Sequence, residues 1–105
     1  MVCLCISLNG VPACANKKLL RQILRDEWNF TGYVVADQDA LGFIISHHHY
    51  LNNTEDAAAA SIKAGCNLEL TDGKSGFIFE SIPQVCPRCL QCLCGLSLRE
   101  FLRYI

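Results

Sequence analysis

Gly32-Tyr33-Val34-Val35-Ala36-Asp37-Gln38-Asp39 decides the fold: four consecutive apolar residues run into a carboxylate and then a polar loop. A short run that is apolar at every position predicts a strand buried on both faces, as parallel strands are when helices cover the sheet. Asp37 closes that strand. A carboxylate at the carboxyl end of a buried strand sits where (β/α) folds place their chemistry.

Working back from Tyr33, Asn29-Phe30-Thr31-Gly32 ends a helix expected over about 17–28, in which Leu19, Leu20, Ile23, Leu24 and Trp28 recur at helical spacing as one apolar stripe. Asn16 reads as its N-cap. Before it, residues 2–6 read as the end of a buried strand closed by the turn residues Asn9-Gly10-Val11-Pro12, with no hairpin expected. Trp28, lying on the stripe, is expected to pack between helix and sheet rather than to stand exposed as a binding platform.

Working forward from Asp37, residues 38–53 read as a long connection holding Gly42, the apolar patch Phe43-Ile44-Ile45 and the triplet His47-His48-His49. Connections of this length in a compact domain are usually functional loops. Thr54 is expected to cap a second helix, with Glu55 and Asp56 in its first turn where the macrodipole favours negative charge, and Gly65 to stop it. Cys66-Asn67-Leu68-Glu69-Leu70 then reads as a third strand, Thr71-Asp72-Gly73 as a turn, and Phe77 to Ile82 as the start of a third helix before Pro83. The order is βαβαβα, an α/β arrangement with parallel strands.

The chain has 105 residues. A complete (β/α)8 barrel needs roughly 200 or more, so the expectation is a partial barrel of about three βα units. Apolar residues make up 51% and charged residues 18% of the chain, against about 25% charged in an average soluble domain. A net charge of −1 without a basic stripe disfavours nucleic acid as a partner. Met1-Val2-Cys3-Leu4-Cys5-Ile6 lacks the positive start of a signal peptide. No run reaches the roughly 18 apolar residues of a membrane span.

Asn9-Gly10-Val11-Pro12, Leu24-Arg25-Asp26-Glu27-Trp28, Gly32-Tyr33-Val34-Val35-Ala36-Asp37 and Ala64-Gly65-Cys66-Asn67-Leu68 follow one another in the order found in the glycoside hydrolase family 3 catalytic barrel, which this chain resembles from about Val2 to Gln84. Asp39-Ala40, His48-His49-Tyr50 and the alanine-rich helix from Asp56 to Ala64 are similar to its β-xylosidase-like branch. The resemblance implies a retaining exo-β-xylosidase or β-glucosidase in carbohydrate metabolism, with Asp37 as the nucleophile. The substrate would be a β-linked oligosaccharide or aryl glycoside, and no metal or organic cofactor is implied. Retention needs two carboxyl groups about 5 to 5.5 Å apart, one attacking and one protonating the leaving oxygen.

On residue type alone Asp37 is a solvated loop acid or an N-cap; the resemblance reverses that reading. Asp39 and Asp72 read as turn acids, and Glu69 as structural. The chain departs from the family where Leu4-Cys5-Ile6 replaces a Ser-Tyr-Asn that faces the sugar in relatives, and Ala36 replaces a serine. The family's Lys-His pair, its sugar-binding Arg and Asp, and its acid/base residue have no counterpart here. Missing general acid help costs 10²- to 10⁴-fold, so the chain alone is expected to be inactive, its missing barrel strands and second domain belonging to a full-length parent. Full-length relatives are often secreted.

The chain divides into a barrel-like part, 1–84, and a Cys-rich part, 85–105. Of eight cysteines, Cys86, Cys89, Cys92 and Cys94 crowd together, whereas Cys3, Cys5, Cys14 and Cys66 lie on or beside apolar runs and are expected to pack as free thiols. Cys86-x-x-Cys89-x-x-Cys92-x-Cys94 allows a small zinc-binding module as a rival reading, but its knuckles overlap and a divergent tail explains it better. The three histidines read as a polar loop rather than as ligands. Asn29-Phe30-Thr31 and Asn52-Asn53-Thr54 fit the acceptor pattern for N-glycosylation.

Overall fold

The computed structural model describes residues 1–74 and 76–85. The second part, 85–105, with Cys86, Cys89, Cys92 and Cys94, lies outside the described residues apart from Val85.

Strand β1 (Val2–Cys3) lies parallel to β4 (Val35–Ala36), with Val2 opposite Val35 and Cys3 opposite Ala36. On the other side of β4, Leu68 bridges Val35 in parallel. The ladder runs past the short regular strands: Val35 N–H donates to Met1 O, Ala36 N–H to Leu68 O and Asn67 N–H to Val34 O, each at 2.8 Å. Three chain segments therefore lie side by side in sequence order with β4 in the middle, the neighbour relation of consecutive strands in a (β/α) barrel.

Alternation along these segments separates two faces. Cys3, Val34 and Ala36 point to one side and are buried there under Leu20 and Leu24, under Leu41 and Ile44, and under Ala57, Ala58 and Ala64. The other face is bare: Val2 is 53% exposed, Tyr33 59% and Leu68 51%. The expectation of burial on both faces is met on the helical side only.

The first helix, Lys18–Glu27, is wound more widely than an α-helix, with Trp28 N–H donating five residues back to Ile23 O at 3.0 Å. Asn16 caps it as expected, its Oδ1 accepting from Leu19 N–H at 3.1 Å. Trp28 corrects the sequence reading. Wider winding turns each residue through a smaller angle, so the stripe that buries Leu20 and Leu24 no longer includes Trp28, which is 69% exposed.

Two further corrections concern local structure. Ser7–Leu8 (β2) and Val11–Pro12 (β3) form an antiparallel hairpin, where no hairpin was expected. Positive φ at Asn9 (51°) and Gly10 (80°) gives the two-residue turn whose twist suits a hairpin. Within the supposed long connection, Ala40–Ser46 is a helix, α1, buried through Ala40, Leu41, Gly42 and Ile44.

Helix α2 (Thr54–Ala64) starts at the expected cap itself, so the cap falls one residue earlier, on Asn53. Asn53 Oδ1 accepts from Asp56 N–H at 2.7 Å while its amide donates to Asp56 Oδ2 at 2.8 Å, a reciprocal cap that the Thr54 hydroxyl does not make. Gly65 ends the helix at φ 108°, as expected. The third helix opens as a 3₁₀ turn, Ile78–Ser81, and stays helical over 82–85, through Pro83.

Ser61 on α2 is fully buried and its hydroxyl has no hydrogen-bond partner among the described residues. An unpaired buried hydroxyl costs free energy that an alanine avoids. Ser61→Ala is therefore expected to stabilise the domain by about 1 kcal/mol, seen as a higher urea midpoint at unchanged m-value.

The remaining correction is at Cys3 and Cys14, expected as free thiols but joined by a buried disulfide. The partners are 11 residues apart, on β1 and on the 3₁₀ turn Ala13–Ala15, and the spacing carried no signal for the pairing. Closing a loop of about this length constrains the unfolded chain by up to about 3 kcal/mol. Cys5 and Cys66 are free.

Candidate active site

β4 delivers Asp37 to the carboxyl ends of the parallel segments. Its backbone N–H continues the ladder by donating to Cys3 O at 2.9 Å, and its carbonyl accepts from Ala40 N–H at 3.0 Å, turning the chain into α1. The carboxylate accepts from Gln38 N–H at 2.8 Å through Oδ1 and caps no helix. Asp37, Gln38, Leu70, Thr71 and Asp72 line an open cleft of 370 Å³ between the loops that follow β4 and the 66–70 segment, within the usual size for a small-molecule site.

The two loops are tied together beside that carboxylate. Asp39 N–H donates to Leu70 O at 2.8 Å, and Thr71 Oγ1 donates to Asp39 Oδ1 at 2.7 Å. Thr71 Oγ1 in turn accepts from Gly73 N–H at 3.0 Å. Asp39 itself sits at φ 59°, a conformation Asp tolerates better than most residues. Asp39 is thus a turn acid, as its type suggested. Thr71 as the bridge between loops was not visible in the sequence, since nothing local marks a hydroxyl that bonds 32 residues away.

Asp72 and Glu69 are also engaged elsewhere. Asp72 accepts from Lys74 N–H at 3.0 Å and pairs with the Lys74 ammonium at 2.9 Å, and these contacts, the backbone one first, lower its pKa. This exposed pair contributes little to stability. Glu69 binds Ile78 N–H at 2.8 Å and Phe79 N–H at 2.7 Å, one through each oxygen, fixing the 3₁₀ turn that follows. The structural reading of Glu69 fits this geometry.

Leu4-Cys5-Ile6 follows β1 to the same rim. Leu4 and Ile6 are exposed, and Cys5 Sγ contacts Gln38 O at 3.5 Å. Burial, then the Asp37 and Asp39 carboxylates, raise the Cys5 pKa, so a neutral thiol stands at this edge of the cleft. His47 ends α1, its ring 4.1 Å from that of Phe43 and its Nδ1 2.8 Å from Ser46 Oγ. No group of three His, Cys, Asp or Glu side chains among the described residues is arranged to hold a metal ion. No helix among them is long and apolar enough to cross a membrane.

Cys66, behind the sheet, is pushed up to about 11 by burial. An ordinary thiol near 9 carries roughly a hundredfold more thiolate at a given pH, and the thiolate is what alkylates. Iodoacetamide at pH 8 is therefore expected to spare Cys66 in the folded protein and to modify it in urea, read by peptide mass.

Comparison with known proteins places these observations. The model of the glycosyl hydrolase family 3 N-terminal domain matches residues 1–88. Beta-D-xylosidase 1 of Arabidopsis thaliana is 39% identical over 69 residues, which cover 66% of this chain and 9% of that protein. A solved β-glucosidase from Erythrobacter marinus superposes with a TM-score of 0.69 at 38% identity, covering 78% of this chain and 10% of its own. A family 3 exo-β-xylosidase, solved with a xylobiose aziridine activity-based probe, superposes with a TM-score of 0.66 at 33% identity over 80% of this chain and 11% of its own. The chain spans about a tenth of the length of these relatives.

Proposed function

The chain belongs to glycosyl hydrolase family 3, and from this we propose that it supplies the catalytic nucleophile of a retaining exo-β-xylosidase or β-glucosidase, with Asp37 as that nucleophile. The carrying observation is the position of its carboxylate, in an open cleft at the carboxyl ends of parallel strands. The Asp37 carboxylate attacks the anomeric carbon of a β-linked sugar, the glycosidic C–O bond breaks, and a covalent glycosyl-enzyme results. Water then releases the sugar with retained configuration.

Protonation of the leaving oxygen falls to a residue outside the described part. Of the neighbouring carboxylates, Asp39 is held by Thr71, Asp72 by Lys74 and Glu69 by two backbone amides. Each is therefore engaged in holding local structure rather than aimed at a leaving oxygen, and the Lys74 contacts that lower the Asp72 pKa favour its ionised form, the wrong state for a proton donor.

The bare sheet face supports the same division. Val2, Val35 and Leu68 stand abreast on it, a row suited to the packed interior of a closed barrel. A full-length parent would cover it with the remaining strands, supply the acid/base residue and add the second domain. The chain by itself is the inactive reading: an aryl β-xyloside is expected to be turned over by the full-length parent and not by the 105-residue chain. Steady turnover by the chain alone, surviving Asp37→Asn, would sink the proposal.

A further inference from the structure

The turn between the first helix and β4 presents an unused motif. Asn29 stands at φ 54° just beyond the helix end, exposed, and Thr31 is exposed two residues on. No hydrogen bond is made by the Asn29 amide or the Thr31 hydroxyl among the described residues. Phe30 between them is the anchor: it packs against the core, the Arg25 guanidinium lies 5.9 Å from its ring centre, and Arg25 Nη1 donates to its carbonyl at 3.4 Å. The acceptor and the hydroxyl thus project to solvent from a pinned turn.

Three observations converge on this turn. Asn29-Phe30-Thr31 is an Asn-x-Thr acceptor. Trp28, the single tryptophan of the chain, is left 69% exposed directly beside Asn29, and an indole face suits the apolar face of a pyranose. The buried Cys3–Cys14 disulfide belongs to an oxidising compartment, the setting in which such acceptors are used. The second acceptor, Asn52-Asn53-Thr54, is less available, because Asn53 is consumed as the cap of α2 and Thr54 Oγ1 bonds Glu55 at 3.3 Å.

We propose that Asn29 carries an N-linked glycan whose first N-acetylhexosamine lies on the indole of Trp28. The Asn29 amide nitrogen forms a bond to the anomeric carbon of a polyprenyl-diphosphate-linked oligosaccharide, the C–O bond to diphosphate breaks, and the amide proton is lost to the transferase. The turn is at the amino end of β4 and Asp37 at its carboxyl end, so the glycan stands on the opposite rim and leaves the cleft open.

The test is the full chain produced through a eukaryotic secretory pathway, with peptide mapping after amidase release of glycans in heavy-oxygen water. The expected result is aspartate labelled at position 29, lost in Thr31→Ala, kept in Thr31→Ser and unaffected by Asn52→Gln. Removing the glycan is expected to shift the Trp28 fluorescence to longer wavelength. An unmodified Asn29 overturns the proposal, and an unchanged emission on deglycosylation overturns the stacking on Trp28.

Discussion

Asp37→Asn in the full-length parent is expected to lower kcat for an aryl β-xyloside by roughly 10⁴- to 10⁶-fold, the loss seen when a covalent nucleophile or its essential partner is removed from an enzyme. An amide at this position cannot form the glycosyl-enzyme. The fold is expected to persist, because Asn keeps an oxygen that accepts from Gln38 N–H and leaves both backbone bonds of Asp37, to Cys3 and from Ala40, in place. Unchanged thermal unfolding beside lost turnover therefore separates a chemical role from a structural one. A kcat within a few fold of the parent's would make Asp37 a loop acid.

Arg25→Met carries the second large expected effect, this time on stability. Arg25 is only 7% exposed. Its Nη1 donates to Phe30 O at 3.4 Å and Gly32 O at 3.1 Å, and its Nη2 to Asn67 Oδ1 at 2.9 Å. Asn67 Oδ1 also accepts from Val34 N–H at 2.9 Å. One guanidinium therefore gathers the helix end, the entry to β4 and the start of the third segment, and so sets the register that carries Asp37 to the rim. Methionine fills similar space but leaves the Phe30 and Gly32 carbonyls without this donor and takes one of two donors from Asn67 Oδ1, a cost of about 3 kcal/mol for hydrogen bonds from a charged group. Urea unfolding of the domain checks it, and a loss below about 1 kcal/mol, the size of a single neutral hydrogen bond, would mean that Arg25 is not the tie.

Arg25 also shows where the sequence stops informing. The β4 strand was legible because a wholly apolar run, closed by Asp37, has few other uses, and α2 because acidic first-turn residues and Gly65 bracket it. Helix α1 left no such trace: Asp39 caps it without a side-chain bond, and Gly42 with Ile44 and Ile45 lowers its helical propensity. Arg25 is not part of the apolar stripe, and only the meeting of three chain segments around it buries it. Trp28 was misplaced for a related reason, since the stripe assumed α-helical winding that the helix does not keep. The Cys3–Cys14 pairing and the Thr71–Asp39 bridge depend on tertiary proximity and have no local signature.

The site was legible in part. Strand position and family resemblance both point to Asp37, and the cleft forms around it. The walls of that cleft, Gln38, Leu70 and Thr71, come from loop-to-loop bonds that spacing does not encode.

The most direct measurement is peptide mapping of the full-length parent after reaction with a xylobiose aziridine probe of the kind held by its solved relative. The account requires one covalent sugar adduct on the Asp37 carboxylate, absent from Asp37→Asn. An adduct on Asp39, Asp72 or Glu69, or equal labelling of the Asp37→Asn protein, would contradict it.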